Sequence, residues 1–390
     1  VDTKAPSPDA ASPDGTSLVA YGWTPWHAKR LRKALQDNPS LDEAVLRPAR
    51  ALTVIRHLAK IAVPLAGDGI DHGRVGELTT TVLTATVPGK MRATVPPVVG
   101  DWLLVEAPEG VEPVVREILP RRTKLSRKVA GARTEEQVMA ANVDHVFLVM
   151  GLDGDFNLRR LERLTLVARQ SGAEPVVVLT KADLLSGEEL EGRLAEVDGV
   201  SSGAPVYAVS STESLGLEPL RYYLGEGHTV VLLGSSGAGK STLLNTLVGE
   251  EVMKTGEVRE GDDRGRHTTS HRELVPLPGG GLLIDGPGIR EVQLWVDEED
   301  DSLGETFADV EELAAGCRFN DCGHQHEPGC AVREAVESGK LESSRLENYR
   351  ALEHEMEVLE RRKSTADNRK FFKKQGKLYK KIQAEKKDRL

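Results

Sequence analysis

The run Val230–Asn245, VVLLGSSGAGKSTLLN, constrains this chain more than any other stretch. An apolar, β-forming segment leads into Gly234. Ser235, Ser236, Gly237 and Ala238 follow, then Gly239, Lys240, Ser241 and Thr242. Beyond them Leu243, Leu244, Leu247 and Val248 recur at helical spacing. This is the G-x-x-x-x-G-K-[ST] phosphate loop between a buried strand and a helix, the context that gives the motif its meaning. Glycines let successive backbone N–H groups turn inward around phosphate oxygens, and the helix N-terminus adds partial positive charge. Lys240 is expected to reach the β- and γ-phosphates, and Ser241 to hold magnesium. A glycine-rich turn that merely joins strand to helix explains the glycines but not the Lys-Ser pair in register.

At 390 residues the chain has room for about two or three domains. Its net charge of −10 excludes a simple polyanion-binding protein, but the charge is unevenly spread. Residues 361–390 hold 13 Lys/Arg against 3 Asp/Glu, a local charge of +10, so residues 1–360 carry −20. An acidic body with a basic C-terminal arm points to nucleic-acid contact by the tail; a solvated, charge-rich helix is the plain alternative. No apolar run reaches membrane-span length, and the polar Val1–Ser17 stretch lacks the pattern of a signal peptide, which gives the expectation of a cytoplasmic protein with no membrane partner. All 3 cysteines fall between Cys317 and Cys330 beside two histidines, an arrangement that favours a reducing compartment and a metal over disulfides.

Taken in order, residues 18–46 carry a short aromatic-containing helical pattern: Tyr21, Trp23, Trp26, Leu31 and Leu35. From about Arg47 to Pro120 the chain reads as short β-type runs, among them Leu78–Thr86, Lys90–Val95, Asp101–Glu106 and Val111–Ile118. Such spacing predicts a small antiparallel barrel, with an oligonucleotide-binding fold as the natural candidate by analogy. From Val143 the pattern alternates: strands at Val143–Met150, Pro175–Leu179 and Pro205–Val209, helices at Leu158–Val167 and Leu190–Val197. That alternation predicts a parallel sheet with helices on both faces. The alternation stops after a last strand at Gly281–Ile284, and from Glu305 the chain reads as helical.

Thr180-Lys181-Ala182-Asp183 follows the strand Pro175–Leu179 directly. An aspartate at a strand end accepts hydrogen bonds from guanine N1–H and the exocyclic amine, which adenine does not offer, while the lysine stem packs over the base. Thr180 stands where such loops usually carry Asn, which places affinity rather than specificity in question. Ser210-Ser211-Thr212, after the strand ending at Val209, is the second candidate base-contacting loop. Downstream, Asp285-Gly286-Pro287-Gly288 forms D-x-x-G: Asp285 is expected to bond a magnesium-bound water and the Gly288 N–H to reach the γ-phosphate. Between them Gly261–Ser270, GDDRGRHTTS, is polar and aperiodic, and Thr268 or Thr269 is expected to complete the magnesium shell. These parts amount to a guanine-nucleotide site, but the base-reading loops precede the phosphate loop. The order is circularly permuted.

Cys317, Cys322, His324 and Cys330 give C-x4-C-x-H-x5-C, three thiolates and an imidazole suited to tetrahedral Zn2+ with no position left open. The site is therefore expected to be structural. His326 is a competing imidazole, and free buried cysteines are the alternative to a metal.

The permuted order, the cysteine cluster and several segments together resemble the bacterial ribosome small subunit-dependent GTPase A family. The segments are Val98, Gly100, Asp101 and Trp102; Ile118–Arg122; Ala140–Asp144; Asp155–Arg163; and Gly265–Thr269, within about residues 45–360. The resemblance implies a multi-domain α/β protein and prefers His324 over His326. Its parts are an N-terminal extension, partly disordered (1–46), an oligonucleotide-binding-like β-barrel (47–120), a circularly permuted GTPase domain (121–300), a C-terminal α-helical zinc-binding domain (301–360) and a basic tail (361–390). It further implies a monomeric, magnesium-dependent GTP hydrolase that binds GTP and GDP, the 30S ribosomal subunit and 16S rRNA, and acts in late subunit maturation. An rRNA-binding scaffold whose nucleotide is structural is the competing reading, and a phosphate-loop ATPase or kinase a distant third. Ile289 follows the D-x-x-G motif where many GTPases carry a water-orienting glutamine, so intrinsic hydrolysis is expected to be slow. His267 is the candidate for the missing catalytic group.

Overall fold

The computed structural model describes residues 17–37, 45–64, 79–128, 136–253, 271–286, 294–295 and 301–362. The chain first turns tightly, the Leu18 carbonyl accepting the N–H groups of Tyr21 and Trp23, and then forms helix α1, Pro25–Asp37. The apolar spacing noted above becomes a buried face: Leu18, Tyr21, Trp23, Leu31 and Leu35 all lie in the main core. Trp23 meets Trp102 edge-on at 4.7 Å, with His27 wedged beside both rings. Burial, followed by the nearby charges of Arg50 and Arg122, pushes His27 down to about 3, so this imidazole is neutral. Gly22 is left-handed, and a Cβ there would stand 2.8 Å from the Gly227 carbonyl oxygen. Only glycine lets the turn seat this closely against the segment leading into the phosphate-loop strand.

Strands β1 (Leu46–Ile55), β2 (Leu58–Pro64), β3 (Thr80–Thr86), β4 (Trp102–Glu106) and β5 (Val114–Ile118) follow, with helix α2 (Gly89–Thr94) between β3 and β4. They pair in the order β1-β2-β3-β5-β4, and β4 pairs back onto β1. The closed five-stranded barrel has no free edge. Its interior is small, filled by Ala49, Ala51, Ala59, Ile61, Ala85, Leu103, Val105 and Val115. Alternate residues of β4, Trp102 and Leu104, point instead into the main core shared with the rest of the molecule. The run Lys90–Val95, read above as β-type, is helical over most of its length. Pro88 enters it in an extended conformation, and Lys90, Met91, Arg92 and Ala93 are good helix formers, with β-branched residues only at its end.

A two-stranded hairpin, β6 (Lys124–Lys128) and β7 (Glu136–Ala141), leads to the alternating region. There β8 (His145–Gly151), α3 (Leu158–Gln170), β9 (Glu174–Thr180), α4 (Gly187–Ser201), β10 (Val206–Ala208), α5 (Glu218–Arg221), β11 (Thr229–Leu233), α6 (Lys240–Val248), β12 (Glu273–Pro276) and β13 (Leu282–Asp285) follow. The sheet order is β10-β9-β8-β11-β13-β12, parallel except for β12. Strands β8 and β11 are buried throughout, as strands covered on both faces must be. The phosphate-loop strand β11 thus lies mid-sheet between β8 and β13, although three strands of this sheet precede it in the chain. Thr53 of β1 pairs with Glu273 of β12, and Arg50 donates to the Asn142 carbonyl and the Thr229 hydroxyl, so barrel and sheet are continuous.

Helices α7 (Ser302–Thr306), α8 (Ala308–Ala314), α9 (Ala331–Glu337) and α10, over 343–362, complete the described chain. Leu341, Leu346, Tyr349 and Leu352 are buried, with Met356 and Leu359 packed beside them. Arg345 is buried too, donating to Glu162 Oε1 at 2.6 Å, to both Asp309 oxygens and to the Thr306 carbonyl. Because Glu162 is itself buried, loss of Arg345 would strand an uncompensated carboxylate against α3. Among the described residues no helix is long and apolar enough to cross a membrane.

Candidate active site and metal centre

The carboxyl ends of β8, β9, β11 and β13 share one edge of the sheet because these strands are parallel. Every described candidate nucleotide residue lies at that edge, in a strand end, a loop or the first turn of α6, the usual ligand crevice of an open α/β sheet. At the end of β11, Gly234 has φ 152°, and a Cβ there would stand 2.1 Å from the Val149 carbonyl oxygen. Glycine alone admits this turn. Ser236 and Gly237 form the exposed crown of the loop, and Ala238 is buried beneath it. Gly239, left-handed, opens α6, whose first residue Lys240 is buried with its ammonium 2.9 Å from the Gly234 carbonyl and bonded to that of Ser235. Ser241 is half-buried, and Thr242 exposed, on the first turn of α6.

The loop after β9 is fastened to the phosphate loop at two points. The Thr180 hydroxyl donates to the Ala238 carbonyl at 2.7 Å, and Lys181 Nζ donates to the Gly237 carbonyl at 3.0 Å. Threonine makes this tie with one hydrogen bond, in a space where a Cβ on Gly239 would already touch its side chain at 3.4 Å. Lys181 adopts the left-handed conformation, which aims its side chain back across the loop onto Asp153 Oδ2 at 2.5 Å. Ala182 donates its N–H to the Val209 carbonyl, bringing Asp183 beside the Ser210–Thr212 turn. There the Ser210 hydroxyl, with lesser help from Thr212, holds the exposed Asp183 carboxyl below the usual range. Asp183 is therefore ionised and an acceptor only, the form that reads two adjacent N–H donors. Ser211 is half-buried in the same turn.

Asp285 ends β13, and a Cβ on the next residue, Gly286, would stand 2.6 Å from Arg272 Cα. Gly288, Ile289, His267, Thr268 and Thr269 lie outside the described residues. Two carboxylates were given no role from the sequence, although Asp155 opens one of the segments that carry the resemblance. Asp153 pairs with Lys181, whose hydrogen bond holds that carboxyl below its usual range, and Asp155 Oδ1 accepts the Ser235 hydroxyl at 2.5 Å. The available signal was their position, immediately after a buried strand at the edge that carries the phosphate loop.

The ligand atoms of Cys317, Cys322, His324 and Cys330 all lie within 4.8 Å of one another. Three edges, Cys317 Sγ–His324 Nδ1 at 3.6 Å, Cys330 Sγ–His324 Nδ1 at 3.4 Å and Cys317 Sγ–Cys330 Sγ at 3.9 Å, lie close to those of a zinc tetrahedron, about 3.5 Å for S···N and about 3.8 Å for S···S. They are far too long for disulfides. His324 reaches the cluster from a left-handed backbone, whereas His326 is exposed and outside it. The donor set fits Zn2+.

Residues 118–295 match the RsgA GTPase family profile. A protein of Oceanobacillus iheyensis named small ribosomal subunit biogenesis GTPase RsgA 1 is 45% identical over 299 residues, spanning 74% of this chain and 84% of the relative. A protein of Xanthomonas axonopodis pv. citri, named small ribosomal subunit biogenesis GTPase RsgA, is 51% identical over 346 residues, spanning 88% of this chain and 90% of the relative. Among solved structures, YjeQ from Thermotoga maritima is similar with a TM-score of 0.58 at 25% identity, covering 80% of this chain and 98% of that one. YloQ, described as a circularly permuted GTPase, is similar in fold with a TM-score of 0.56 at 24% identity, covering 80% and 96%. With the Thr180–Asp183 loop bonded to a phosphate loop that follows it in sequence, the chain belongs to the RsgA family of circularly permuted GTPases.

Proposed function

We propose that the chain hydrolyses GTP to GDP and phosphate under stimulation by the small ribosomal subunit, and that it acts in late maturation of that subunit. The observation that carries the guanine-nucleotide reading is the pair of bonds from Thr180 and Lys181 to the phosphate loop, which sets Asp183 at a fixed reach from it. The ribosomal part rests on the relatives' names.

In this reading Gly234, Ser235, Ser236, Gly237, Ala238 and Gly239 cradle the phosphates with backbone N–H groups, and Ser241 and Thr242 extend the cradle onto α6. Lys240 keeps one buried positive charge at the loop, offsetting charge that grows on the phosphoryl oxygens. Asp183 selects guanine, with Ala182, Ser210 and Ser211 closing the base pocket. Magnesium fits the oxygen donors Ser241 and Asp285, which the adjacent parallel strands β11 and β13 bring to one edge. Bound there, with Thr268 or Thr269, it would neutralise charge between the β- and γ-phosphates. Gly288 donates its N–H to the γ-phosphate. Ile289 has no hydrogen bond to offer the attacking water, so His267, ordered by contact with rRNA, is the proposed catalytic group.

The remaining parts divide as extension (1–46), oligonucleotide-binding-like barrel (47–120), GTPase domain (121–300), zinc-binding helical domain (301–360) and basic tail (361–390). Cys317, Cys322, His324 and Cys330 hold one structural zinc. The tail's charge of +10 suits 16S rRNA, and the chain acts as a cytoplasmic monomer. In this reading loss of the γ-phosphate weakens the grip of the C-terminal unit on rRNA. The chain is accordingly expected to co-sediment with 30S subunits more tightly with a non-hydrolysable GTP analogue than with GDP. Equal affinities would contradict a nucleotide-controlled grip.

A further inference from the structure

The carboxylate of Asp155 gathers three donors from three separate parts of the site. Oδ1 accepts the Ser235 hydroxyl at 2.5 Å and the Arg160 guanidinium at 2.6 Å, and Oδ2 accepts the Gly151 N–H at 3.2 Å. Ser235 belongs to the phosphate loop, Gly151 to the end of β8, and Arg160 to the first turn of α3. The Arg160 guanidinium also grips the Asp155 carbonyl, so this corner is bound through both backbone and side chain. The Asn157 side chain caps α3 by accepting the Arg160 N–H. The phosphate loop is thus bonded to the capped end of a helix that carries none of the candidate nucleotide residues.

The same helix is locked to the C-terminal unit along its side. Arg159 pairs with Glu347 at 2.7 Å, Arg163 pairs with both oxygens of Glu355 at 2.6 and 2.8 Å, and Glu162 accepts from Arg345 and Asn348. All four partners lie on α10. Bidentate contacts fix orientation as well as distance, and the Glu162–Arg345 pair is buried, so α3 and α10 have little freedom to slide past each other. The 13 residues of α3 form a rigid rod of about 20 Å with the phosphate loop at one end and α10 along its flank.

We propose that Asp155 is a positioning residue of the phosphate loop, and that the Ser235–Asp155–Arg160 contact is where α3 passes nucleotide binding on to the C-terminal helical unit. The proposal rests on the reading of the loop as a guanine-nucleotide site. A ligand that draws the loop's backbone inward pulls on Ser235, and Asp155 transmits that displacement to Arg160 and the start of α3. By linkage, whatever holds α10 must in turn alter nucleotide affinity.

The test is hydrogen exchange of the amides over 343–362, measured with and without saturating GDP or a non-hydrolysable GTP analogue. A fluorescent GDP analogue establishes saturation for each variant. In the parent chain nucleotide is expected to slow this exchange about 5-fold or more. Ser235→Ala removes only the phosphate-loop end and leaves Asp155–Arg160 and the α3 cap in place. It is expected to bind nucleotide, more weakly, with exchange over 343–362 indifferent to it; Asp155→Asn, which weakens the Arg160 grip, should lose the same response. A purely structural role would change basal exchange but not its dependence on saturating nucleotide. Persistence of the slowing in Ser235→Ala, or no slowing in a saturated parent, would overturn the proposal while leaving the nucleotide site intact. A parent that bound no guanine nucleotide would defeat the reading of the site itself.

Discussion

Asp183→Asn is expected to weaken GTP and GDP binding by about 100- to 1,000-fold and to turn the preference toward xanthosine nucleotides. In the proposed site the carboxylate accepts from two adjacent donors on guanine. An amide in the same place can accept one bond but points an NH2 group at the other donor, so one pair becomes a repulsion. Xanthine carries a carbonyl oxygen where guanine has its amine, and that oxygen can accept from the new NH2. The Ser210 hydroxyl beside Asp183 favours the ionised acid, which strengthens the guanine bonds in the parent and is lost with the charge. Thr180 and Lys181 hold the loop whatever stands at 183, so the fold and the phosphate contacts persist. Competition of GTP, XTP and ATP against a fluorescent GDP analogue reads the result. An Asn variant that kept parental GTP affinity would remove Asp183 from base recognition.

Removing zinc is expected to have the larger effect on the fold. A structural zinc contributes about 10–16 kcal/mol to the small unit that holds it, comparable to the entire stability of a domain. Cys330 is 2% exposed and belongs to the same core cluster as Phe307, Val332 and Tyr349, so it is both a candidate ligand and a packing element. Cys330→Ala, or a strong chelator, should release one zinc per chain, melt helices α8 to α10 and expose them to protease. The sheet, closed by its own strand ladder and by the barrel, should continue to bind GTP. A chelator that left the helical signal and protease resistance unchanged would mean that packing alone holds the C-terminal unit.

The motifs that announced the site were legible because each lies in a local frame that its neighbours enforce. Val143–Met150 and Pro175–Leu179 are apolar runs that only a sheet covered on both faces accommodates, and the residues that follow them must emerge at its carboxyl edge. The spacing of Cys317, Cys322, His324 and Cys330 was likewise enough to foresee the cluster, but not which histidine enters it. That choice depends on a left-handed backbone at His324. What stayed hidden was fixed by contacts distant in sequence. The helical pattern of residues 18–46 gave no hint that Trp23 and His27 pack on Trp102. In turn, Trp102, an aromatic on a barrel strand, is fully buried beneath them and beneath Arg50. Lys90–Val95 has too few residues for periodicity to separate a strand from one and a half turns of helix. The Asp155–Ser235 bond joins residues 80 apart in the chain, and only the place of Asp155 just after a buried strand hints at it.

The central claim is that this phosphate loop holds GTP until the small ribosomal subunit completes the catalytic site. It is tested by the rate of phosphate release from GTP under single-turnover conditions, with and without purified 30S subunits. Because Ile289 cannot orient water, release should be slow for the chain alone. It should rise about 100-fold or more with 30S, and His267→Ala should lose most of that rise. A rate that 30S subunits leave unchanged would contradict the claim.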